Sequence, residues 1–159
     1  MPYYEDIEIG YRRVTGSFTF TPENIKAFAL KFDPQPFHLD EEAGRNSVFG
    51  GLAASGWHVA AVYMKLTVAD FRRMDEEARA RGEKPVASGP SPGFRELKWL
   101  RPVLAGDTLT YTSEVASKRT LESRPEWGLV AFRNAGTNQR GELAFSFLAQ
   151  AFMPRRSAA

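Results

Sequence analysis

Two prolines within three residues create the most constrained feature of this sequence, the corner Asp33-Pro34-Gln35-Pro36-Phe37-His38. A proline fixes its own φ and drives the preceding residue out of the helical region, so a helix that reaches Asp33 must end there. The corner therefore holds the Asp33 carboxylate and the His38 imidazole in a restricted relation. A carboxylate and an imidazole facing one site can hold a water, one taking its proton while the other delivers a proton to a substrate.

A capped amphipathic helix leads into this corner. Thr21 is a suitable N-cap, Pro22 suits the first helical position, and Glu23 complements the positive end of the helix dipole. One apolar stripe, typical of a surface helix, follows from the spacing of Ile25, Phe28, Ala29 and Phe32. After the corner, the acidic run that starts at Asp40 predicts a short helix.

A second helix is predicted to begin near Ser55 or Gly56 and to continue from Trp57 to about Arg81. Its first half is apolar nearly all round, which indicates a helix wrapped by other structure, and its second half is charged. At its start, glycine allows a ligand close to the backbone, and free N–H groups favour a developing oxyanion. Gly56 is therefore a candidate oxyanion donor beside Ser55, which is expected to cap the helix; the alternative for Gly56 is a tight loop-to-helix turn.

The rest of the chain reads as strands. Arg12 to Phe20 alternates with Val14, Phe18 and Phe20 on one face, and four later runs are rich in β-branched and aromatic residues. These later strands are expected at 94–100, 108–121, 129–138 and 143–153, after an irregular connection at 85–93. One strand, then helices, then four strands predicts an α+β fold with an antiparallel meander and helices on one face of the sheet.

Composition narrows the classes of protein. A chain of 159 residues that is 43% hydrophobic has the length of one domain, residues 1–159, with a sizeable core. The absence of cysteine excludes disulfides, zinc–thiolate sites and thiol nucleophiles, and is compatible with a reducing cytoplasm. A net charge of +2 is too mild to indicate nucleic acid, although a phosphate-bearing ligand stays open.

Targeting and metal signals are weak. The acidic start Met1–Glu8 does not resemble a signal peptide, and the longest apolar run, near 51–64, is too short for a membrane span, so we expect a cytoplasmic protein with no membrane partner. Two histidines without a ligand-type spacing predict no metal site. His58, in the first turn of the second helix, is either a packed core residue or part of a ligand pocket.

The corner resembles the motif of MaoC-like dehydratases, in the (R)-specific enoyl-CoA hydratase branch of the hot-dog fold. In that motif an aromatic residue precedes Asp-x-Asn-Pro-x-His, and a small residue follows six positions on. The matching positions here are Phe28, Asp33, Pro36, His38 and Gly44 or Ala43. Gln35 stands where asparagine is usual, and Ser55 replaces the histidine of the family's His-Gly pair. The resemblance extends to 97–109, which is similar to the family's later hairpin, and so covers nearly the whole chain.

The resemblance implies a curved antiparallel sheet wrapped around a long central helix, and a homodimer or higher homo-oligomer whose sheets join edge to edge. It implies a hydro-lyase that reversibly adds water to a 2-enoyl-CoA to give an (R)-3-hydroxyacyl-CoA in fatty acid metabolism. Asp33 and His38 would handle the water, and no cofactor is implied because coenzyme A is part of the substrate. Substrate binding would involve Gly56, Ser55, Phe37, Trp57 and His58.

Three alternatives remain open at this stage. A hot-dog acyl-CoA thioesterase would also use a carboxylate near a helix N-terminus, but it would release a free thiol. A non-catalytic acyl-CoA-binding or partner-docking module would keep the fold without turnover. A dehydratase of branched or dicarboxylic hydroxyacyl-CoA would have its pocket reshaped by Ser55, His58 and Ala61. Retention of both proton-transfer groups in the corner favours the hydratase or dehydratase class.

Overall fold

The structure, a computed structural model, describes residues 2–156. After a single 3₁₀ turn at Tyr4–Asp6, its helices are α1 (Pro22–Phe32), α2 (Pro36–Leu39), α3 (Glu41–Arg45) and α4 (Gly56–Ala80). Thr21 Oγ1 caps α1 by accepting from the amide of Asn24, and Asp40 Oδ1 caps α3 by accepting from the amide of Ala43. The predicted end of the first helix at Asp33, the short helix after Asp40 and the second helix are confirmed.

The strands form one antiparallel sheet in the order β1-β3-β4-β5-β2. Their bounds are β1 (Arg12–Thr19), β2 (Gly93–Trp99), β3 (Thr108–Thr120), β4 (Trp127–Thr137) and β5 (Leu143–Pro154). The expected meander is confirmed for β3, β4 and β5. The expected hairpin across 97–109 is wrong, because β2 pairs with β5 at one edge of the sheet while β3 lies next to β1.

The helix α4 packs against one face of this sheet. The Tyr111 hydroxyl on β3 donates to the carbonyl of Val59 on α4 at 3.0 Å, which ties the helix to the centre of the sheet. Around this contact lies a buried core that includes Phe20, Ile25, Leu52, Val62, Tyr63, Leu109 and Phe145. The structure therefore has the α+β hot-dog arrangement that the sequence predicted, an antiparallel sheet around a long helix.

The first half of α4 is covered on one side alone. Trp57 is 56% exposed and Met64 55% exposed, and both lie with Ala61 and Val68 on the side of the helix turned away from the sheet. The expectation that this segment would be wrapped all round is therefore wrong within a single chain, because one sheet face covers one side of a helix. The uncovered side is an apolar stripe that a second protein surface would bury.

A β-bulge divides β1 into two halves. Val14 pairs with Thr112 and Gly16 with Tyr111, so Thr15 is an extra residue in the strand. The bulge reverses the inward and outward alternation, and Val14 is exposed where the simple alternation predicted a core residue. Gly16 has a φ of +149°, and a Cβ there would lie 3.1 Å from Leu66 of α4, which favours glycine at this point.

Candidate active site

The corner forms as a break between two helices. α1 ends at Phe32, and Asp33 follows as its C-cap, with its amide donating to the carbonyl of Ala29 at 2.9 Å. After Pro34, the single turn α2 begins at Pro36 and carries His38. The second proline starts this turn at the position that tolerates a missing N–H. Local sequence rules thus place the carboxylate and the imidazole on adjoining ends of two short elements.

Asp33 and His38 face each other. Oδ2 of Asp33 lies 3.4 Å from Nε2 of His38, while the side chains are 18% and 6% exposed, respectively. The other ring nitrogen, Nδ1, lies 2.7 Å from the carbonyl oxygen of Ala53. Because a carbonyl can only accept, Nδ1 carries a proton, and Nε2 is the ring nitrogen that faces the carboxylate. A water beside the pair would donate to the carboxylate.

Asp33 also receives two side-chain hydrogen bonds. Ser55 Oγ donates to Oδ2 at 2.6 Å, and Gln35 Nε2 donates to Oδ1 at 2.8 Å. Burial raises the pKa of Asp33, but the hydrogen bonds from Ser55 and Gln35, with the nearby His38, outweigh it and leave the pKa lowered. The carboxylate is therefore held ionised, and its two oxygens are fixed in direction.

The start of α4 lies beside the corner through Ser55. The Ser55 hydroxyl accepts from the amide of Trp57 and so caps the helix, which confirms the capping interpretation. Its proton is directed to Asp33, and the side chain is buried, so the structure brings Ser55 to the carboxylate rather than to an open surface. The amide of Gly56, next along the chain, makes no hydrogen bond within residues 2–156.

Trp99 packs directly over Gly56. The indole Nε1 donates to the carbonyl of Gly56 at 2.9 Å, and a Cβ at position 56 would lie 2.5 Å from Cε2 of the same ring. Glycine is therefore required here by the close approach of an aromatic ring. Trp57 meets Trp99 edge to face, with ring centroids 5.3 Å apart, and its side chain is more than half exposed.

Phe37 and Phe49 flank the imidazole. The Phe37 ring stands edge-on to His38 at a centroid distance of 4.6 Å, and Phe49 contacts both rings. A backbone hydrogen bond connects α2 to the loop before α4, because the amide of Ala53 donates to the carbonyl of Phe37 at 3.2 Å. Phe37 is thus brought to His38 as a wall that restricts the movement of the ring.

His58 lies in a separate aromatic cluster. Its ring stacks on Phe28 at a centroid distance of 4.6 Å and meets Phe18 and Phe20 edge-on. Burial lowers the pKa of His58 to about 4, so the ring is neutral at physiological pH. Nδ1 has no hydrogen-bond partner among the described residues. The structure therefore brings together Asp33, His38, Ser55 and Phe37, and it places His58 among phenylalanines rather than on the corner.

Sequence reasoning missed three contributors to this geometry. The carbonyl of Ala53 sets the tautomer of His38, Ser55 orients Asp33, and the ring of Trp99 covers Gly56. These contacts join segments that are distant in the sequence, so no local sequence pattern predicts them. Gln35 also contacts Asp33, but this contact is local, because the two residues are two positions apart. Gln35 stands where the family motif usually has asparagine.

Between residues 2 and 156, no group of three or more histidine or acidic side chains is arranged to hold a metal ion. None of the helices there combines the length and the apolar character that crossing a bilayer requires.

Comparison with known proteins gives a consistent picture. Residues 8–128 match the family described as MaoC like domain. The crystal structure of a MaoC-like dehydratase from Rhodospirillum rubrum is similar over 99% of this chain and 100% of that chain, with 38% sequence identity and a TM-score of 0.83. Both the sequence and the fold are therefore shared along the length of the two proteins.

Two more distant similarities carry a named activity. The unliganded R-hydratase PhaJ1 from Pseudomonas aeruginosa matches with 21% identity and a TM-score of 0.68, over 97% of this chain and 86% of that one, which shows a common fold. A mesaconyl-CoA hydratase from Cereibacter sphaeroides is 36% identical over 67 residues. That match spans 42% of this chain and 19% of the longer protein, so it is a local similarity.

Proposed function

The chain belongs to the MaoC-like domain family, and on this premise we propose that it is a hydro-lyase that reversibly adds water to a 2-enoyl-CoA, giving an (R)-3-hydroxyacyl-CoA. The family supports a hydratase or dehydratase; the thioester substrate and the stereochemistry are the finer parts of the proposal. The observation that carries it is the 3.4 Å approach of Asp33 Oδ2 to His38 Nε2, with both groups fixed by further hydrogen bonds.

The proposed step balances in protons and electrons. Asp33 takes a proton from the water as the water oxygen bonds the β-carbon. The electrons of the carbon–carbon double bond move to the thioester oxygen, and His38, protonated at Nε2, then delivers its proton to the α-carbon. The proton on Asp33 returns to His38 across their contact, which resets the pair. The low pKa of Asp33 supports its being the ionised partner before the step.

The oxygen that becomes enolate-like needs a donor, and we assign this role to the amide of Gly56. Its N–H is unpaired within the described residues and belongs to the first turn of α4, where the helix dipole is positive. Phe37, Trp57 and His58 are assigned to the walls around the acyl group. The thioester itself acidifies the α-carbon, so the proposed chemistry uses no resident cofactor and no metal.

We also propose that the working unit is a homodimer in the cytoplasm. Within residues 2–156 the outer edge of β2 has no partner strand, and exposed apolar residues lie on β2 or against it: Trp57, Phe94, Trp99 and Leu100. An exposed strand edge beside apolar side chains is the kind of surface that a second copy covers. The dimer would bury the side of α4 that the sheet leaves open.

The test is a panel of enoyl-CoA thioesters followed by loss of enoyl absorbance, with a thiol-reactive dye in parallel. We include straight-chain substrates and mesaconyl-CoA, because the local similarity to mesaconyl-CoA hydratase supports a branched dicarboxylic substrate as the second candidate. We expect absorbance loss without thiol release. Thiol release from a saturated acyl-CoA would instead identify a thioesterase, and stabilisation by a thioester without turnover would identify a binding module.

The roles of the pair are tested by Asp33→Asn and His38→Ala. Each variant is expected to lose hydration by at least about a hundredfold, the lower range for a general acid or base, while its far-UV circular dichroism stays unchanged. Asp40→Asn is the matched control, because it neutralises a nearby carboxylate that caps α3 and asparagine also caps well. Rates near wild type in either corner variant would refute the assignment.

A further inference from the structure

A cavity lies toward the opposite end of α4 from the Asp33–His38 corner. Its volume is about 670 Å³, and it is bounded by the N-terminal segment, the last turns of α4 and the sheet. Met74, on its helical wall, follows Gly56 by about five turns, roughly 27 Å along the axis. A cavity of this size is within the range that holds small-molecule ligands. It is a separate site, because no corner residue lines it.

The floor of this cavity is apolar. Ile7, Val115 and Met153 belong to a buried cluster of their own, apart from the main core, and Phe132 packs against it. All four line the cavity, and Met74 and Ala78 face them from α4. Such a floor suits an aliphatic chain, since burying apolar surface is the main source of affinity in a site of this kind.

One end of the cavity is polar, because a row of polar residues crosses the sheet there. Arg13 pairs with Ser113, and Ser113 pairs with Asn134, so the three side chains lie on the same face. Ser113 is 5% exposed and lines the cavity, and its hydroxyl makes no hydrogen bond within residues 2–156. Asn134 is fully buried, and its Oδ1 has no partner among the described residues.

Arg13 is held in place with hydrogen-bonding capacity to spare. Its Nη1 lies 2.8 Å from Oδ2 of Asp70, whose side chain is 2% exposed, and its guanidinium lies over the ring of Phe71. Nε and Nη2 make no hydrogen bond within the described chain. Because guanidinium groups bind carboxylates through paired N–H donors, a fixed Arg13 beside the Ser113 hydroxyl offers a preformed carboxylate contact.

The charges around the cavity are largely held in ion pairs. Arg81 pairs with Glu83, and Arg156 pairs with Asp6, so the free N–H donors of Arg13 are the contact that a carboxylate would use. We propose that this cavity binds an aliphatic monocarboxylate, with the head group on Arg13 and Ser113 and the chain along Phe132 and Met153. This site is independent of the hydration chemistry at the corner.

The test is isothermal titration of the full chain with decanoate below its micelle concentration, and with decan-1-ol as the uncharged counterpart. We expect saturable one-to-one binding of decanoate, at least about tenfold tighter than the alcohol, as a charge-assisted hydrogen bond would give. Equal affinity for the two probes, or no saturable binding, would overturn the proposal.

Matched variants locate the site. Ser113→Val is expected to weaken decanoate binding about tenfold, whereas Ser117→Val, on the exposed end of the same strand, should leave it unchanged. Ala78→Leu, which fills the cavity from α4, should also weaken binding and serves if Ser113→Val folds poorly. Unchanged affinity in a folded Ser113→Val or Ala78→Leu would refute the assignment. Asp33→Asn should bind decanoate normally, so this proposal and the hydratase proposal fail separately; loss of binding in Asp33→Asn would place the probe at the corner instead.

Discussion

Ser55 Oγ donates a hydrogen bond of 2.6 Å to Oδ2 of Asp33, across 22 positions of the chain. The same hydroxyl caps α4, so one side chain sets both the start of the long helix and the direction of the carboxylate. The position of Asp33 is therefore coupled to the packing of α4, although α1 and the corner carry it.

Removing this hydroxyl is expected to change the pH dependence of the reaction. In Ser55→Ala, the pKa of Asp33 rises because a donor to its ionised form is lost. The acidic limb of the kcat/KM profile then moves to higher pH, and on that limb the rate falls by up to about tenfold, as loss of a charge-assisted hydrogen bond predicts. Ser55→Thr keeps the hydroxyl and should keep the profile. Superimposable profiles for Ser55→Ala and the wild type would contradict this role.

The low pKa of the buried His58 should make the folded protein less stable in acid. Its pKa is about 4 in the folded chain and near 6.5 when unfolded, so the unfolded state binds more protons between these values. The free energy of unfolding should fall as the pH drops through this window, by on the order of 3 kcal/mol from this group. Urea denaturation of the wild type and His58→Phe across the window measures the effect. The variant should show a flatter dependence, and equal slopes would contradict the assignment.

Gly56→Ala should disrupt the contact with Trp99. A Cβ at position 56 would lie 2.5 Å from the indole, so the ring must leave and its hydrogen bond to the carbonyl of Gly56 is lost. We expect a loss of about 1–3 kcal/mol in the free energy of unfolding, with a change in tryptophan fluorescence. In a Trp99→Ala background the same glycine substitution should cost much less, so equal costs in the two backgrounds would count against this contact.

The exposed stripe on α4 predicts the assembly state. Met64→Glu places a charge on the side of the helix that the sheet leaves open, and it should shift the protein toward monomer in sedimentation velocity. Ala80→Glu, at an exposed position in the last turn of α4 and away from this stripe, adds the same charge and is the matched control. A wild type that sediments as a monomer at all concentrations, or a Met64→Glu variant that assembles like the control, would refute the dimer proposal.

Local signals account for what the sequence predicts well. The cap at Thr21, the prolines of the corner and the glycine before α4 act within one or two turns, and the structure has α1, the corner and α4 where these residues predict them. The fold class also follows from the order of elements along the chain. Each of these inferences needs only neighbouring residues, because the backbone preferences behind them are local.

Long-range pairing accounts for what the sequence did not predict. The position of β2 beside β5 depends on contacts between strands far apart in the chain, and the expected hairpin with β3 was wrong for that reason. The contact of Ser55 with Asp33 has the same origin. The open side of α4 was unpredictable in another sense, since a uniformly apolar helix does not reveal whether its cover is its own sheet or a second chain.

Because Thr15 is an extra residue in β1, the two halves of this short strand contribute side chains to two separate sites. Beyond Gly16, β1 contributes Phe18 to the cluster around His58, and before it the strand contributes Arg13 to the distant cavity. Deleting Thr15 would rotate one half of the strand against the other, so either the arginine or the phenylalanine would be turned out into solvent. Insertions and deletions in this strand should therefore be far less tolerated than substitutions at its outward positions, even though it lies at the border of the sheet.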